Sequence, residues 1–392
     1  MSETLLAYYE ENAFNPVPIR LSSETDWRDH AAKRRNLYER HLGIPVRLLN
    51  GSSVLEFGCN SGENALVLAV HGARLTLVEP HAQTLVQIRH TFEQYDLDSK
   101  IEKLVGQGVD EFQSDRLFDL VLAEGFLYTL NNRDEILDKL CKLIAPGGMG
   151  VLSFNDRVGG TLEILRRALL HRICQLSGIE DIHSEASLLV TRSTFGPDWN
   201  RIPTSRTIEA WWKDNLVNPF YTSPYLWSYH ELLPRLGQND CQVSGTSPSW
   251  SLADAYSWYK DVPEAPARHD RILSEWSRNL GYFLTGLRPD HAERESDPVV
   301  VTEAHDFVDR LSDYTVGTER AENLFLPSAL HGTLSRSADP RIRAFSRDLS
   351  AVISAFREDD HTALQDAYRN TELLHDLWGT PYHYLSFRRE HI

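Results

Sequence analysis

The chain is expected to adopt an α/β fold: a parallel sheet flanked by helices, with an aromatic-rich insertion and a C-terminal helical extension. Three observations lead there. Residues 46–156 alternate short apolar runs with segments of helical periodicity, the rhythm of strand–helix–strand units. Aromatic side chains then crowd residues 195–229, and apolar residues at helical spacing dominate the C-terminal quarter. At roughly 100–200 residues per domain, 392 residues imply two or three units.

The elements follow in order. "VLEFG" is an apolar run suited to a buried central strand. The helix from about Glu63 places Ala65, Leu66, Leu68 and Ala69 inward and ends at His71-Gly72, where a glycine can terminate it. "RLTLVE" is the second strand; Pro80 suits the first turn of the next helix, whose Leu85, Ile88 and Phe92 recur at helical spacing. "IEKLVG" and "FDLVLAEG" read as the third and fourth strands. Asn132 is positioned to cap the helix "RDEILDKLCKLI", "APGG" stops it, and "MGVLSFND" supplies a fifth strand. Beyond it, "GGTLEILRRALLHRICQL" reads as a helix and residues 193–229 as irregular. "YHELLPRL" is a helix, "CQVSGTSP" a strand, and "GYFLTGL" a last strand. Pro298 and Asp339-Pro340 resemble helix starts, and Ile342, Phe345, Leu349, Val352 and Phe356 make an apolar stripe in a tail whose last helix ends at Gly379 and Pro381.

The turn after the first strand carries the chemistry. Gly58-Cys59-Asn60-Ser61-Gly62 joins a buried strand to a helix, with Glu56 just before it. A dinucleotide fold uses G-x-G-x-x-G here, so that a pyrophosphate meets the helix N-terminus. In this chain the middle glycine is Asn60. Asparagine tolerates left-handed backbone angles, so the turn can form. Its side chain nevertheless stands where a pyrophosphate needs close backbone approach, and a ligand without phosphates suits the site better.

Taken together, "LEFGCNSGEN", "LTLVEP", "LVGQGVDEF", "FDLVLAEGFLYTL" and "LCKLIAPGGMGVLSFND" resemble the class I S-adenosylmethionine-dependent methyltransferases, whose first motif sets an acidic residue before glycines at a strand-to-helix turn. The resemblance covers residues 54–156, with a weaker echo at "ELLPRLGQNDCQVSGTS", and is to small-molecule and sugar-type members with extra helices. It implies a Rossmann-like methyltransferase sheet and S-adenosyl-L-methionine as cofactor. On the matched positions, Gly58, Cys59, Asn60 and Gly62 would wrap the methionine end, with Glu56 on its ammonium side. Glu79 would accept hydrogen bonds from both ribose hydroxyls, since a carboxylate has two acceptor oxygens for a vicinal diol. Gln107, longer than the Asp or Asn usual there, would read the adenine amino group through its carbonyl. Pro80, Gly108, Ala123 and Glu124 complete the implied cofactor contacts. Cys59 is a small filler, with no cationic neighbour in sequence to activate its thiol.

A sulfonium methyl is already activated, so the protein must orient the acceptor and manage its proton; orientation alone can supply about 7–11 kcal/mol. No metal is required. Open parallel sheets place ligands at the carboxyl ends of their strands, which brings forward "AEGFLY" and "FND". For a hydroxyl acceptor, Glu124, Asp156 and His230 are the candidate general bases. Each has a plainer alternative: a cofactor contact, a helix cap and an ordinary helix residue. Tyr128, Asn155, Trp199, Tyr225 and Trp227 are the candidate substrate contacts, the last three in an insertion expected to form a lid holding at least two such aromatics. The same aromatics could equally pack the insertion onto its neighbours. The N-terminal "LLAYYEENAFNP" is a further candidate wall.

A formal charge of −16 argues against nucleic acid as the main partner, because phosphate binding draws on clustered Lys and Arg. The short run Lys33-Arg34-Arg35 is read as a solvated helix face. Four widely spaced cysteines form no metal or disulfide pattern. The acidic start does not read as a secretory signal and no window matches a membrane span, so a cytoplasmic protein without a membrane role is expected. The expected organisation is an N-terminal helical cap (1–45), the cofactor domain (46–156 and 229–288), an insertion and lid (157–228), and a C-terminal helical domain (289–392). A homodimer through that last region is one assembly the sequence allows. The leading function is methyl transfer to oxygen or nitrogen of a small molecule, a sugar or specialised metabolite. The alternatives are a protein or, less favoured by charge, RNA methyltransferase, and a non-catalytic cofactor-binding scaffold.

Overall fold

The computed structural model describes residues 4–12, 23–202, 206–249, 265–287 and 298–390. Seven strands form one sheet: β1 (Ser53–Phe57), β2 (Arg74–Val78), β3 (Ile101–Val105), β4 (Phe118–Ala123), β5 (Ile144–Asn155), β6 (Cys241–Ser247) and β7 (Tyr382–Arg389). Their order is β3-β2-β1-β4-β5-β7-β6. Pairing is parallel from β3 through β5, while β6 and β7 run antiparallel to one another. All five residues of β1 are buried, Ser53 and Glu56 among them, as its central place in the sheet requires. The chain leaves β1 for β2 on one side and returns to β4 on the other. That makes the carboxyl ends of these strands the switch point at which open α/β sheets bind ligands.

The chain divides into two compact units. One comprises Val17–Phe154, Tyr229–Leu273 and His383–Ile392, and holds the sheet core. Its hydrophobic centre joins Val54, Leu75, Leu77, Leu120 and Leu122 of the strands to Leu66, Ala69, Ile88 and Phe92 of the helices Glu63–Val70 and Ala82–Gln94.

The other unit comprises Met1–Pro16, Asn155–Ser228 and Ser274–Tyr382. Its helices include Thr161–Leu176, Glu185–Trp199, Pro298–Thr315 and Pro340–Ala355. The last begins as its sequence foretells, with Asp339 accepting from the Arg341 N–H at 2.8 Å and Pro340 in the first turn. The whole stripe of Ile342, Phe345, Leu349, Val352 and Phe356 is buried.

Several expectations need correction. "GYFLTGL" is not a strand: Leu280–Thr285 is helical and closes at Gly286, whose φ of 76° lets its N–H reach the Tyr282 carbonyl at 2.8 Å. The missing strand lies instead at the end of the tail, where β7 enters the sheet between β5 and β6. Phe387 of β7 needs a glycine beside it; a Cβ at Gly150 would lie 2.2 Å from its ring. Pro80 is exposed and precedes the helix Ala82–Gln94, which His81 caps by accepting from the Thr84 N–H. Asn132 stands at the expected cap position but makes no capping side-chain bond. Residues 193–229 are not irregular throughout: they begin inside the helix Glu185–Trp199 and include a short helix, Ile208–Trp211.

The N-terminal cap divides between the units. Helix Leu5–Glu11 packs in the second unit, where Tyr8 donates to the Lys213 carbonyl at 2.7 Å and Tyr9 to Asp214 at 3.1 Å. Helix Glu24–Asn36 belongs with the sheet. Residues 13–22, including the end of "LLAYYEENAFNP", lie outside the described residues.

Candidate active site

The turn between β1 and the helix Glu63–Val70 bends through three left-handed residues: Gly58 at φ 64°, Asn60 at 47° and Gly62 at 90°. Asparagine is among the few side-chain-bearing residues that take this conformation readily. Gly58 is held by a second constraint, since a Cβ there would lie 2.8 Å from the Phe126 ring. The turn therefore admits Asn at its middle position and glycine at its first. Cys59 is buried and burial pushes its thiol up, the state of a packing residue and not of a nucleophile.

Glu79 stands just past β2, 7% exposed, and fastens this turn to the next. Its Oε2 accepts from the Asn60 N–H at 3.2 Å and its Oε1 from the His81 N–H at 3.1 Å. Burial raises its pKa, while those two N–H groups work the other way. Gln107 is exposed on the loop after β3, and the adjacent Gly108 N–H donates to Glu111 at 3.2 Å.

At the carboxyl end of β4, beyond buried Ala123, Glu124 forms a feature the sequence did not announce. Arg34 grips it with both terminal nitrogens, at 2.8 and 2.6 Å. The same guanidinium donates to the Tyr38 hydroxyl and lies 4.9 Å from that ring's centre. Arg34 is 5% exposed, so Lys33-Arg34-Arg35 is not wholly a solvated face. The triplet sits in the last turn of Glu24–Asn36, where cations suit the helix dipole, and its middle member turns inward. Burial works against the Arg34 charge, but Glu124 holds its pKa well above the usual value. Asn64 adds a 3.4 Å bond to the same carboxylate. Both Glu124 oxygens are thus engaged by Arg34 in a two-pronged ion pair.

Glu56, in β1, is 2% exposed, and its Oε2 has no hydrogen-bond partner among the described residues. Burial comes first and the Glu124 charge second in pushing its pKa up to about 8, with Arg34 opposing. Around the turn, four carboxyl groups (Glu56, Glu63, Glu79 and Glu124) thus stand with one buried guanidinium. That environment favours a cationic ligand group over an anionic one.

The other candidates fall elsewhere. Tyr128 is buried in the short turn Leu127–Thr129. His230 is exposed in the helix Tyr229–Gln238. In the second unit, fully buried Asp156 accepts from the Gly159 N–H at 2.7 Å, a turn-forming role. Its neighbour Asn155 bonds through its carbonyl to the Trp227 N–H at 2.9 Å. Trp227 and Trp199 are buried, and Tyr225 is half-buried against Phe220, 5.0 Å between ring centres. Trp199 stacks on Trp211 at 4.9 Å, and Trp378 meets both edge-on. Packing within the unit accounts for most of the aromatics expected to line a lid. Among the described residues no helix is long and apolar enough to cross a membrane, and no cluster of metal-ligating side chains occurs.

Residues 28–214 match the family model described as "Methyltransferase domain". The ubiquinone biosynthesis O-methyltransferase of Rickettsia akari is 28% identical over 120 residues, 31% of this chain and 44% of that protein. Nodulation protein S of Rhizobium tropici is 27% identical over 132 residues, 33% of this chain and 54% of that protein. The chain spans about half the length of the curated relatives it matches. Among solved structures, the N-methyltransferase NodS from Bradyrhizobium japonicum, in complex with S-adenosyl-L-homocysteine, has 22% identity and a TM-score of 0.31. That match covers 40% of this chain and 74% of NodS.

Proposed function

We propose that the protein, whose residues 28–214 match the "Methyltransferase domain" model, is a class I, S-adenosylmethionine-dependent methyltransferase that transfers a methyl group to an oxygen or nitrogen of a small molecule. The observation that carries the cofactor half of this reading is the charge of the switch point. Glu56 keeps a buried oxygen without a partner, Glu124 is neutralised by Arg34, and Glu79 lies across the turn. A pyrophosphate would bring negative charge into this group; an amino acid's ammonium would bring positive charge. In this reading Glu56 faces the ammonium, Glu79 takes the ribose hydroxyls, and the turn 58–62 wraps the methionine end. When bound, the cofactor supplies an electrophilic methyl on sulfur. The chain's own residues supply position: buried Arg34 fixes the end of β4, and the left-handed turn fixes the end of β1. The small-molecule half rests on the −16 charge, which disfavours nucleic acid, and on the small-molecule methyltransferase named among the relatives.

Calorimetry with S-adenosylhomocysteine and with NAD tests the cofactor, the expected outcome being binding of the first alone. Replacing Glu79 by Ala removes a charged acceptor, at about 1.5–3 kcal/mol per hydrogen bond, and is expected to weaken S-adenosylhomocysteine roughly 10- to 100-fold. An unchanged affinity would remove Glu79 from the site. Methyl transfer from labelled cofactor to pools of phenols, amines and sugars tests the acceptor class; labelling confined to protein would overturn it.

A further inference from the structure

Among the described residues, Glu56 Oε2 has no hydrogen-bond partner. The guanidinium beside it, Arg34, gives two hydrogen bonds to Glu124, a third to Tyr38 and a longer one to Tyr384 at 3.5 Å. The other titratable groups set around Glu56 are acids or weak acids. Glu124 lies past β4, Glu63 begins the helix after the turn, Cys59 sits in the turn itself, and Tyr38 follows the helix that carries Arg34. An ionised carboxylate with a buried, unbonded oxygen beside a second carboxylate is strongly unfavourable; the group neutralises instead.

We propose that Glu56 is carried as a neutral acid in the ligand-free protein and gives up its proton to solvent when the α-ammonium of the cofactor arrives, so that cofactor binding is coupled to the release of one proton. The inference rests on the cofactor reading above and extends it, because a carboxylate ionised in both states would exchange no proton. The balance is simple. The Glu56 O–H breaks, its proton passes to buffer, and the carboxylate left behind accepts from an ammonium that already carries its own protons. The sign follows from the same groups. Below about pH 8 Glu56 holds its proton in the free protein, and an adjacent cation lowers its pKa in the complex. Between those two values affinity rises with pH by up to about tenfold per unit. An α-amino group stays protonated below about pH 7.7, so that window reports Glu56 and not the ligand.

The test is calorimetric titration of the full chain with S-adenosylhomocysteine near neutral pH, in buffers of different ionisation enthalpy. Release of roughly one proton per ligand is expected, falling away above about pH 8. The same titration with 5′-methylthioadenosine, which has the nucleoside and sulfur but no amino acid, is expected to release almost none. Glu56→Gln is expected to abolish the release with S-adenosylhomocysteine. Binding without proton release, or equal release with both ligands, would overturn the inference while leaving the cofactor reading standing. So would undiminished release in the variant. Should the variant not fold, the two-ligand comparison on the natural chain decides alone. If S-adenosylhomocysteine does not bind at all, the cofactor reading fails and the proton coupling with it.

Discussion

The turn 58–62 and the aromatic segment 195–229 both carry residue types associated with binding, and the structure treats them differently. Around the turn, special residues meet demands that packing does not explain: three left-handed positions, a carboxylate tying two backbone N–H groups, and a second carboxylate with an oxygen left over. In the aromatic segment the side chains answer one another. Trp199 stacks on Trp211, Phe195 meets Trp211 and Tyr368 edge-on, and the Trp211 N–H donates to Glu163 at 2.8 Å. Glu56 at the turn keeps a buried oxygen without a partner among the described residues, whereas Trp199, Trp211 and Phe195 spend their faces and edges on one another.

The largest expected effect tests the second half of that contrast. Trp211→Ala empties the centre of the aromatic cluster and leaves the buried Glu163 carboxylate without its donor. An aromatic truncation of this kind costs about 3–5 kcal/mol, and the stranded acceptor about 1–3 more. Thermal or denaturant unfolding should show the loss, with affinity for S-adenosylhomocysteine retained in whatever protein remains folded. A stable variant with altered acceptor kinetics would return Trp211 to a lid and break the comparison.

Arg34→Ala probes the other half. It leaves Glu124 buried without its cation, and removing one partner of such a pair costs about 3–5 kcal/mol. Because a buried carboxyl group then stands beside Glu56 without its counter-charge, part of the loss should be recovered as the pH falls. Unfolding midpoints in urea between about pH 5 and 8 would show this. A loss independent of pH would mean that Arg34 acts through packing on Tyr38 and not through charge.

How far these regions can be read without coordinates follows from the range of the forces involved. The strands β1 to β5, the helix start at Asp339-Pro340 and the left-handed Asn60 are local matters of periodicity, capping and backbone tolerance. Short apolar runs between turn signals carry the strands, and single residue types carry the cap and the turn. β7 was missed because "YHYLSFRR" follows a long helical stretch, and its burial pattern depends on partners far away, Phe387 over Gly150 and Ser386 on the Leu42 carbonyl at 2.7 Å. "GYFLTGL" is ambiguous because an apolar run of that length suits strand and helix alike; Gly286 within it is the sign of a helix end. Arg34 was unreadable in kind. Nothing in Lys33-Arg34-Arg35 says which member faces Glu124, ninety positions along the chain. The candidate bases share that difficulty, since a general base is defined by geometry and the partner that grips Glu124 lies far off in the sequence.

The smallest effect separates two grounds on which the proposed site would reject a dinucleotide. One gives the Asn60 side chain the part of excluding a pyrophosphate by bulk; the Glu79 carboxylate, with Arg34 held by Glu124, offers another, by charge. Asn60→Gly separates them. Glycine accepts the φ of 47° without strain, but it also gives the unfolded chain more freedom, so stability should change by no more than about 1 kcal/mol. The Asn60 N–H that reaches Glu79 survives the substitution, and affinity for S-adenosylhomocysteine should stay within about threefold, under about 0.7 kcal/mol. If charge excludes the pyrophosphate, the variant still fails to bind NAD in calorimetry, because Glu79 remains in place and Arg34 remains held by Glu124. If it gains NAD affinity with its S-adenosylhomocysteine affinity intact, a single side chain was the discriminator, and the charge argument for this site would have to be given up.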